Sequence, residues 1–365
     1  MRQWGNGMGA MKRMALVIVL TGAVARLTAQ APVVPGAEWA RVGDPKSAGY
    51  CQAPLDAVTS HLQTLGTTAV TVVVGGKVLF DYGPQDEVTY LASVRKSILA
   101  MMFGQYIANG TIRLDATMAD LGIDDVQGLL PKEKTATVRQ LLASRSGVYH
   151  EAANAACTGC GSTSGDPPGP RGSVEPGSYF LYNNWDFNAL GTIFEKATGK
   201  DIYVAFEEDF AKPLQFQDYR LDAQRKARRP QASQHPAYHF YLSTRDMARL
   251  GLLMLRNGRW GSTRLLSEEW VEEMITPVTP VSAMNPAPLR DGPFGYGYLW
   301  WIWDGPHNTG IYRDAYTGIG AIGQFITVLP ELDMVIAHKT RANATAVSRA
   351  QYLDVVDRVA RARCQ

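Results

Sequence analysis

Leu91-Ala92-Ser93-Val94-Arg95-Lys96-Ser97-Ile98-Leu99-Ala100-Met101-Met102 is the stretch around which the rest of the chain arranges itself. Apolar residues at Ile98, Leu99, Met101, Met102 and Tyr106 recur at helical spacing and Gly110 supplies a stop, so Ser93 to Ala108 reads as a helix. Upstream, Ala69 to Val74 is β-rich, Gly75-Gly76 is a hairpin turn, and Lys77 to Tyr82 is the returning strand. The helix therefore opens where a loop leaves a β-hairpin. Ser93 and Lys96 form the only S-x-x-K of the chain, and residues three apart share a helix face. The Lys96 amine can thus lie beside the Ser93 hydroxyl. A serine needs an activating base, and a desolvated lysine can be tuned to serve. The positive helix end also favours a developing oxyanion. Alone, the pattern is weak, because an exposed helix start with an ordinary lysine accounts for it equally well.

Tyr182 and Asn184 form the only Y-x-N, just before a helix read from Trp185 to Thr198. Alternate residues of an extended segment point the same way, so both can face one cleft. A phenol beside an ammonium can shuttle protons, and an amide can orient the lysine or hold a substrate carbonyl. The plain alternative is a turn into the helix with Asn184 as its N-cap.

Elsewhere, Leu55–Leu65, Thr137–Ala143, Met247–Arg256, Glu268–Ile275 and Ala346–Ala362 read as helices. Gly295 to Trp303, Gly323 to Leu329 and Met334 to His338 read as strands, and Pro277 to Pro293 as a proline-rich loop. Three late strands joining the two early ones give one antiparallel sheet flanked by helices, with terminal helices over one face. The expected class is α/β with an inserted all-α subdomain. Its α/β part covers about 50–110 and 244–365, and the helical insert about 111–243.

Taken together, the S-x-x-K helix after a hairpin and the Y-x-N at a helix mouth resemble the penicillin-recognising serine hydrolases. The likeness is to the class C β-lactamase-like branch, which includes D-alanyl-D-alanine carboxypeptidases, family VIII carboxylesterases and 6-aminohexanoate-dimer hydrolases. Leu141-Leu142-Ala143-Ser144-Arg145-Ser146-Gly147 is similar to the family's LLxxxSG step, and Ser243-Thr244-Arg245-Asp246-Met247-Ala248 to its STxDxA helix start. Phe294 to Trp301 is similar to its glycine/aromatic strand. The resemblance implies a β-lactamase/transpeptidase-like fold. It implies Ser93 as nucleophile, Lys96 as its base, Tyr182 as second acid/base and Asn184 as a positioning group. The family's K-T-G or H-x-G element falls at Tyr316-Thr317-Gly318, with Ile319 following; a tyrosine stands at the cation position. Backbone N–H groups of Ser93 and of Ile319, give or take one residue, are the expected oxyanion hole. Without the cation, an esterase or amidase acting on small esters or amides is favoured. The alternatives are a β-lactamase or D-alanyl-D-alanine carboxypeptidase using another cation, such as Arg313, and a penicillin-binding-like sensor without turnover.

Composition agrees with a folded enzyme. Of 365 residues 46% are hydrophobic and 19% charged, which excludes disorder and coiled coil, and the 35 Gly show no collagen period. Lys+Arg 36 against Asp+Glu 34 gives +2 and no dense basic stripe, so no nucleic-acid partner is expected. Arg2, Lys12 and Arg13 precede an apolar run from Ala15 to Ala25 and then Ala-x-Ala steps, the pattern of a secretory signal peptide over 1–29. Its removal after Ala29 takes away four basic residues and no acid, turning +2 into −2 for a mature domain 30–365 that is periplasmic or secreted. No stable membrane span is expected. In an oxidising compartment the four cysteines pair, Cys157 with Cys160 in a Gly/Ser/Pro-rich loop and Cys51 with Cys364 across the chain ends.

No cofactor or metal is called for. Gly318 to Gly323 fits G-x-G-x-x-G, but a strand follows it where a dinucleotide site needs a helix. His235 and His239 lack the zincin glutamate and read as loop histidines. Arg225, Lys226, Arg228 and Arg229 read as a solvated loop.

Overall fold

The computed structural model describes Met1, residues 33–153 and residues 168–364. The signal-peptide segment and Cys157 with Cys160 lie outside the described residues. No helix among those described is long and apolar enough to cross a membrane.

The seven-stranded sheet is antiparallel throughout. Its strands are β1 (Ala69–Val74), β2 (Lys77–Tyr82), β3 (Phe294–Tyr296), β4 (Trp301–Trp303), β5 (Tyr316–Gly320), β6 (Gln324–Leu329) and β7 (Met334–Lys339). Their order is β2-β1-β7-β6-β5-β4-β3, so the early hairpin joins the late strands through β1 against β7. Gly75 and Gly76 have φ of 59° and 78°, the doubly left-handed turn that a tight hairpin requires. The described α-helices of eight residues or more are α1 (Gln52–Leu62), α2 (Val94–Ala108), α3 (Asn184–Thr198), α4 (Thr244–Leu255), α5 (Glu268–Ile275) and α6 (Arg349–Ala360).

Alternation along β6 divides the helices between the two faces. Ile326 and Val335 of β7 meet Gly251 of α4, where an added Cβ would stand 2.4 Å from Val335. Phe325, next to Ile326, stacks on Tyr352 of α6 with ring centroids 3.8 Å apart, and Thr327 bonds the same tyrosine's hydroxyl at 2.7 Å. α1 packs beside α6. α2 lies against β5, on the α4 side of the sheet.

Three details correct the sequence reading. Gly295 to Trp303 is not one strand: the chain breaks between β3 and β4 at Leu299, whose φ is 61°, and Leu299 O accepts a 2.8 Å hydrogen bond from Ser97 Oγ of α2. The basic cluster is not a loop, because Arg225–Arg229 is a strand paired with Ser233–His239. His235 and His239 accordingly sit on a strand and are buried. The segment between α2 and α4 is therefore not all-α: beside this hairpin its described α-helices are α3 and the short Val138–Leu142 and Ile202–Phe206, joined by turns.

The segment is pinned by Asp125. Burial alone would raise its carboxyl, but hydrogen bonds from Ser233 Oγ, Gln234 N, Trp185 Nε1 and Val126 N override that and hold it below the usual range. Trp185 Nε1 at 2.6 Å ties the start of α3 to this carboxylate, and Ser233 Oγ at 2.5 Å ties the hairpin.

The chain ends meet as expected. Cys51 and Cys364 form a disulfide across 313 residues, flanked by Cys51 N to Ala362 O and Cys364 N to Gly49 O, each 2.9 Å. Closing so long a loop restricts the unfolded chain, contributing up to roughly 5 kcal/mol. Mass mapping of a non-reduced digest is expected to recover the Cys51 and Cys364 peptides as one species. The double substitution Cys51→Ser/Cys364→Ser is expected to lower the denaturation midpoint.

Candidate active site

Ser93 stands at the N-cap of α2 with φ −81° and ψ −6°, and its side chain makes no capping hydrogen bond, which leaves the hydroxyl free for chemistry. The residue before it, Ala92, is held at φ 47°, a left-handed conformation that a non-glycine residue adopts at a cost and that is common beside reactive groups. One turn into α2, Lys96 is 2% exposed.

The lysine collects the other predicted residues around itself. Its Nζ lies 2.9 Å from Ser93 Oγ, 2.6 Å from Tyr182 Oη and 2.9 Å from Asn184 Oδ1. It also sits 4.2 Å from the ring centroids of Tyr182 and Phe187. Asn184 is not the N-cap of α3: Asn183 fills that place, accepting from Trp185 N at 3.0 Å, which frees the Asn184 amide to face the lysine. The LLxxxSG step supports this from below, with Ser146 Oγ donating to Asp186 Oδ1 on α3 at 2.6 Å.

Burial, and then the neighbouring Arg95 cation, push Lys96 well below the ordinary amine range. Burial raises the Tyr182 phenol to about 12, against lowering contributions from its hydrogen bond with Ser93 and from Arg95 and Arg349. A neutral amine has two N–H donors and one lone pair. Asn184 Oδ1 takes one N–H, leaving one donor and one lone pair for the two hydroxyls. The three contacts admit the unprotonated lysine that burial and Arg95 favour, and the phenol beside it keeps its proton at neutral pH.

The third element behaves differently from its sequence reading. Tyr316 is buried edge-on against Trp300 and lines, with Ile302, Ile275 and Leu255, a cavity of about 410 Å³. Thr317 Oγ1 meets Trp303 Nε1 at 3.2 Å and Thr327 Oγ1 at 3.0 Å. Neither side chain hydrogen-bonds Ser93, Lys96 or Tyr182. What approaches the serine is the glycine-rich end of β5. A Cβ on Gly318 would meet Ser97 Oγ at 3.1 Å, and one on Gly320 would meet Leu91 O at 2.6 Å and Ser93 N at 3.1 Å. β4 pairs with β5 only at Tyr316 and Thr317, so it leaves the Gly318–Gly320 edge unpaired beside Ser93.

Arg313, the example of a substitute cation in the β-lactamase alternative, is exposed and pairs with Glu331 at 3.6 Å. Sequence reading missed Arg349 instead, which starts α6. Its guanidinium lies 5.0 Å from the Trp301 ring and 5.9 Å from Phe294, and it acts electrostatically on Tyr182. It is half-buried and pairs with no carboxylate among the described residues. No motif marks it, since it reaches the site only through the sheet.

A family model described as beta-lactamase matches residues 55–360. The chain belongs to the beta-lactamase family. Solved structures similar to this beta-lactamase-family chain include a protein proposed to be a 6-aminohexanoate-dimer hydrolase from Bacillus anthracis, at 22% identity and TM-score 0.61, covering 82% of this chain and 80% of that one. EstCE1, a hydrolase with promiscuous acyltransferase activity, aligns at 16% identity and TM-score 0.64 over 87% and 99%. A penicillin-binding protein homologue from Caulobacter crescentus aligns at 14% identity and TM-score 0.60 over 86% and 99%. At these identities the likeness is one of fold. No curated protein matches the sequence.

The crowding at Gly320 has a measurable consequence. Gly320→Ala is expected to displace the Ser93 backbone and lower kcat at least tenfold while far-UV circular dichroism stays unchanged. Gly36→Ala, where nothing lies within 4 Å, is the matched control and is expected to leave kcat unaltered.

Proposed function

We propose that this chain is an exported serine hydrolase that cleaves small esters or amides through an acyl-enzyme on Ser93. One observation carries the reading: a buried lysine lies within hydrogen-bond distance of Ser93, Tyr182 and Asn184 at once. The neutral Lys96 amine takes the Ser93 proton as Oγ attacks the substrate carbonyl carbon. The resulting oxyanion is held by the Ser93 N–H and by a backbone N–H from the Ile319–Gly320 end of β5. The lysinium passes its proton through the Tyr182 hydroxyl to the leaving alkoxide or amine, and the carbon–heteroatom bond breaks. Water, activated along the same path, then cleaves the acyl-enzyme. Asn184 keeps the amine aimed at the serine. The basic-apolar N-terminal segment and the Cys51–Cys364 disulfide support export.

Arg349 favours a second reading, in which the substrate carries a carboxylate, as a β-lactam or a D-alanyl-D-alanine peptide does. A guanidinium unpaired with any described carboxylate, resting on Trp301 and felt by Tyr182, suits such a group.

A panel of p-nitrophenyl esters, nitrocefin and D-amino-acid amides, run on the parent and on Ser93→Ala, tests both. Ester turnover is expected in the parent and a loss of at least a thousandfold in Ser93→Ala; full retention there would sink the serine mechanism. Arg349→Ala is expected to raise KM about tenfold or more for carboxylate-bearing substrates, with neutral esters unchanged. A stable label from fluorescent penicillin without turnover would instead identify a sensor.

A further inference from the structure

Arg95 is a buried cation on the S-x-x-K helix. It is 4% exposed, next in sequence to Lys96, and its Nη2 donates to Asn188 Oδ1 of α3 at 3.2 Å. No ion pair joins either Arg95 or Lys96 to a carboxylate among the described residues. We infer that Arg95 is an electrostatic positioning residue, whose permanent buried charge keeps the adjacent Lys96 amine unprotonated and so able to accept the Ser93 proton.

The argument rests on what the cluster contains. Arg95 bonds Asn188 and Lys96 bonds Asn184, one turn apart on α3, so the two cations lie near each other out of water, which is costly without an anion to compensate them. A guanidinium holds its proton under these conditions, so the amine is the group that gives its proton up. The groups facing the pair supply no negative charge. From the segment between α2 and α4 come Tyr182, Asn184, Asn188 and Tyr203; Tyr90 comes from the strand before α2, and Arg349 acts from α6. His239, from the Ser233–His239 strand, is pushed down to about 3 by burial and by Arg95 and Lys96, and is neutral. Asp186 of α3 is raised well above the carboxylate range by burial and bonds Ser146. The arrangement thus holds two permanent charges, both cations, and the one that lowers the Lys96 amine is Arg95.

This inference rests on Lys96 acting as base, so the test separates the two. The rate at which a fluorophosphonate probe phosphonylates Ser93, Oγ displacing fluoride from phosphorus, is measured from pH 5 to 10 for the parent, Arg95→Gln, Asn188→Asp and Ser93→Ala. The parent rate is expected to rise along an acid limb to a plateau. In Arg95→Gln the limb moves at least one pH unit upward, with the alkaline plateau regained to within about threefold. Asn188→Asp, which places a carboxylate against Arg95 without removing it, is also expected to move the limb upward, and it serves if Arg95→Gln does not fold. A lowered plateau with an unmoved limb in both variants makes Arg95 merely structural and overturns the inference. Labelling of Ser93→Ala at the parent rate overturns the serine mechanism itself.

Discussion

An amine removed from water must either find an anion or lose its proton, and the surroundings of Lys96 offer hydroxyls, an amide, aromatic rings and a second cation. Much of the architecture follows from meeting that requirement. The first turn of α2 has to be buried, so β5 and the Leu299 turn press against it from the sheet. The amine then needs three directed partners, and α2 itself supplies only Ser93. The other two come from the entrance to α3, almost ninety residues later. The sheet and the segment between α2 and α4 are therefore both required to complete one hydrogen-bonding shell.

The approach of β5 shows how backbone and side chains divide the work. Tyr316 and Thr317 turn into the two packed faces of the sheet, where they fix the strand against Trp300 and Thr327. Having done so, the strand continues as Gly318-Ile319-Gly320, and the missing side chains let its backbone come within contact of Leu91 and Ser93. A cation is not needed on this strand for the serine to be approached. Positive charge enters instead from α6, on the far side of Tyr182, and from inside α2.

The residues gathered around Lys96 were legible in the sequence because each lies in a short local pattern: Ser93 and Lys96 one helical turn apart, Tyr182 and Asn184 alternating at a helix entrance. The hairpin of β1 and β2 and the run of β6 and β7 were legible for the same reason, since glycine turns and continuous apolar stretches are local signals. What was not legible depended on distant contacts. Leu299 breaks a run of strand-forming aromatics because its carbonyl is needed by Ser97, two hundred residues away. The arginines at 225–229 form a strand because the Ser233–His239 segment pairs with them, while their composition alone suggests a loop. Arg349 is separated from every motif, and Arg95 looked like an ordinary helix residue until its burial was known.

Asp125 gives the segment between α2 and α4 its own anchorage, distinct from the strand pairing that holds the sheet. Two parts of a chain secured by different bonds can open at different free energies. Tyr182 and Asn184 belong to the part held by that carboxylate, and Ser93 and Lys96 to the part held by the sheet. Catalytic competence is then a property of the seam, lost by a partial opening that leaves every strand paired.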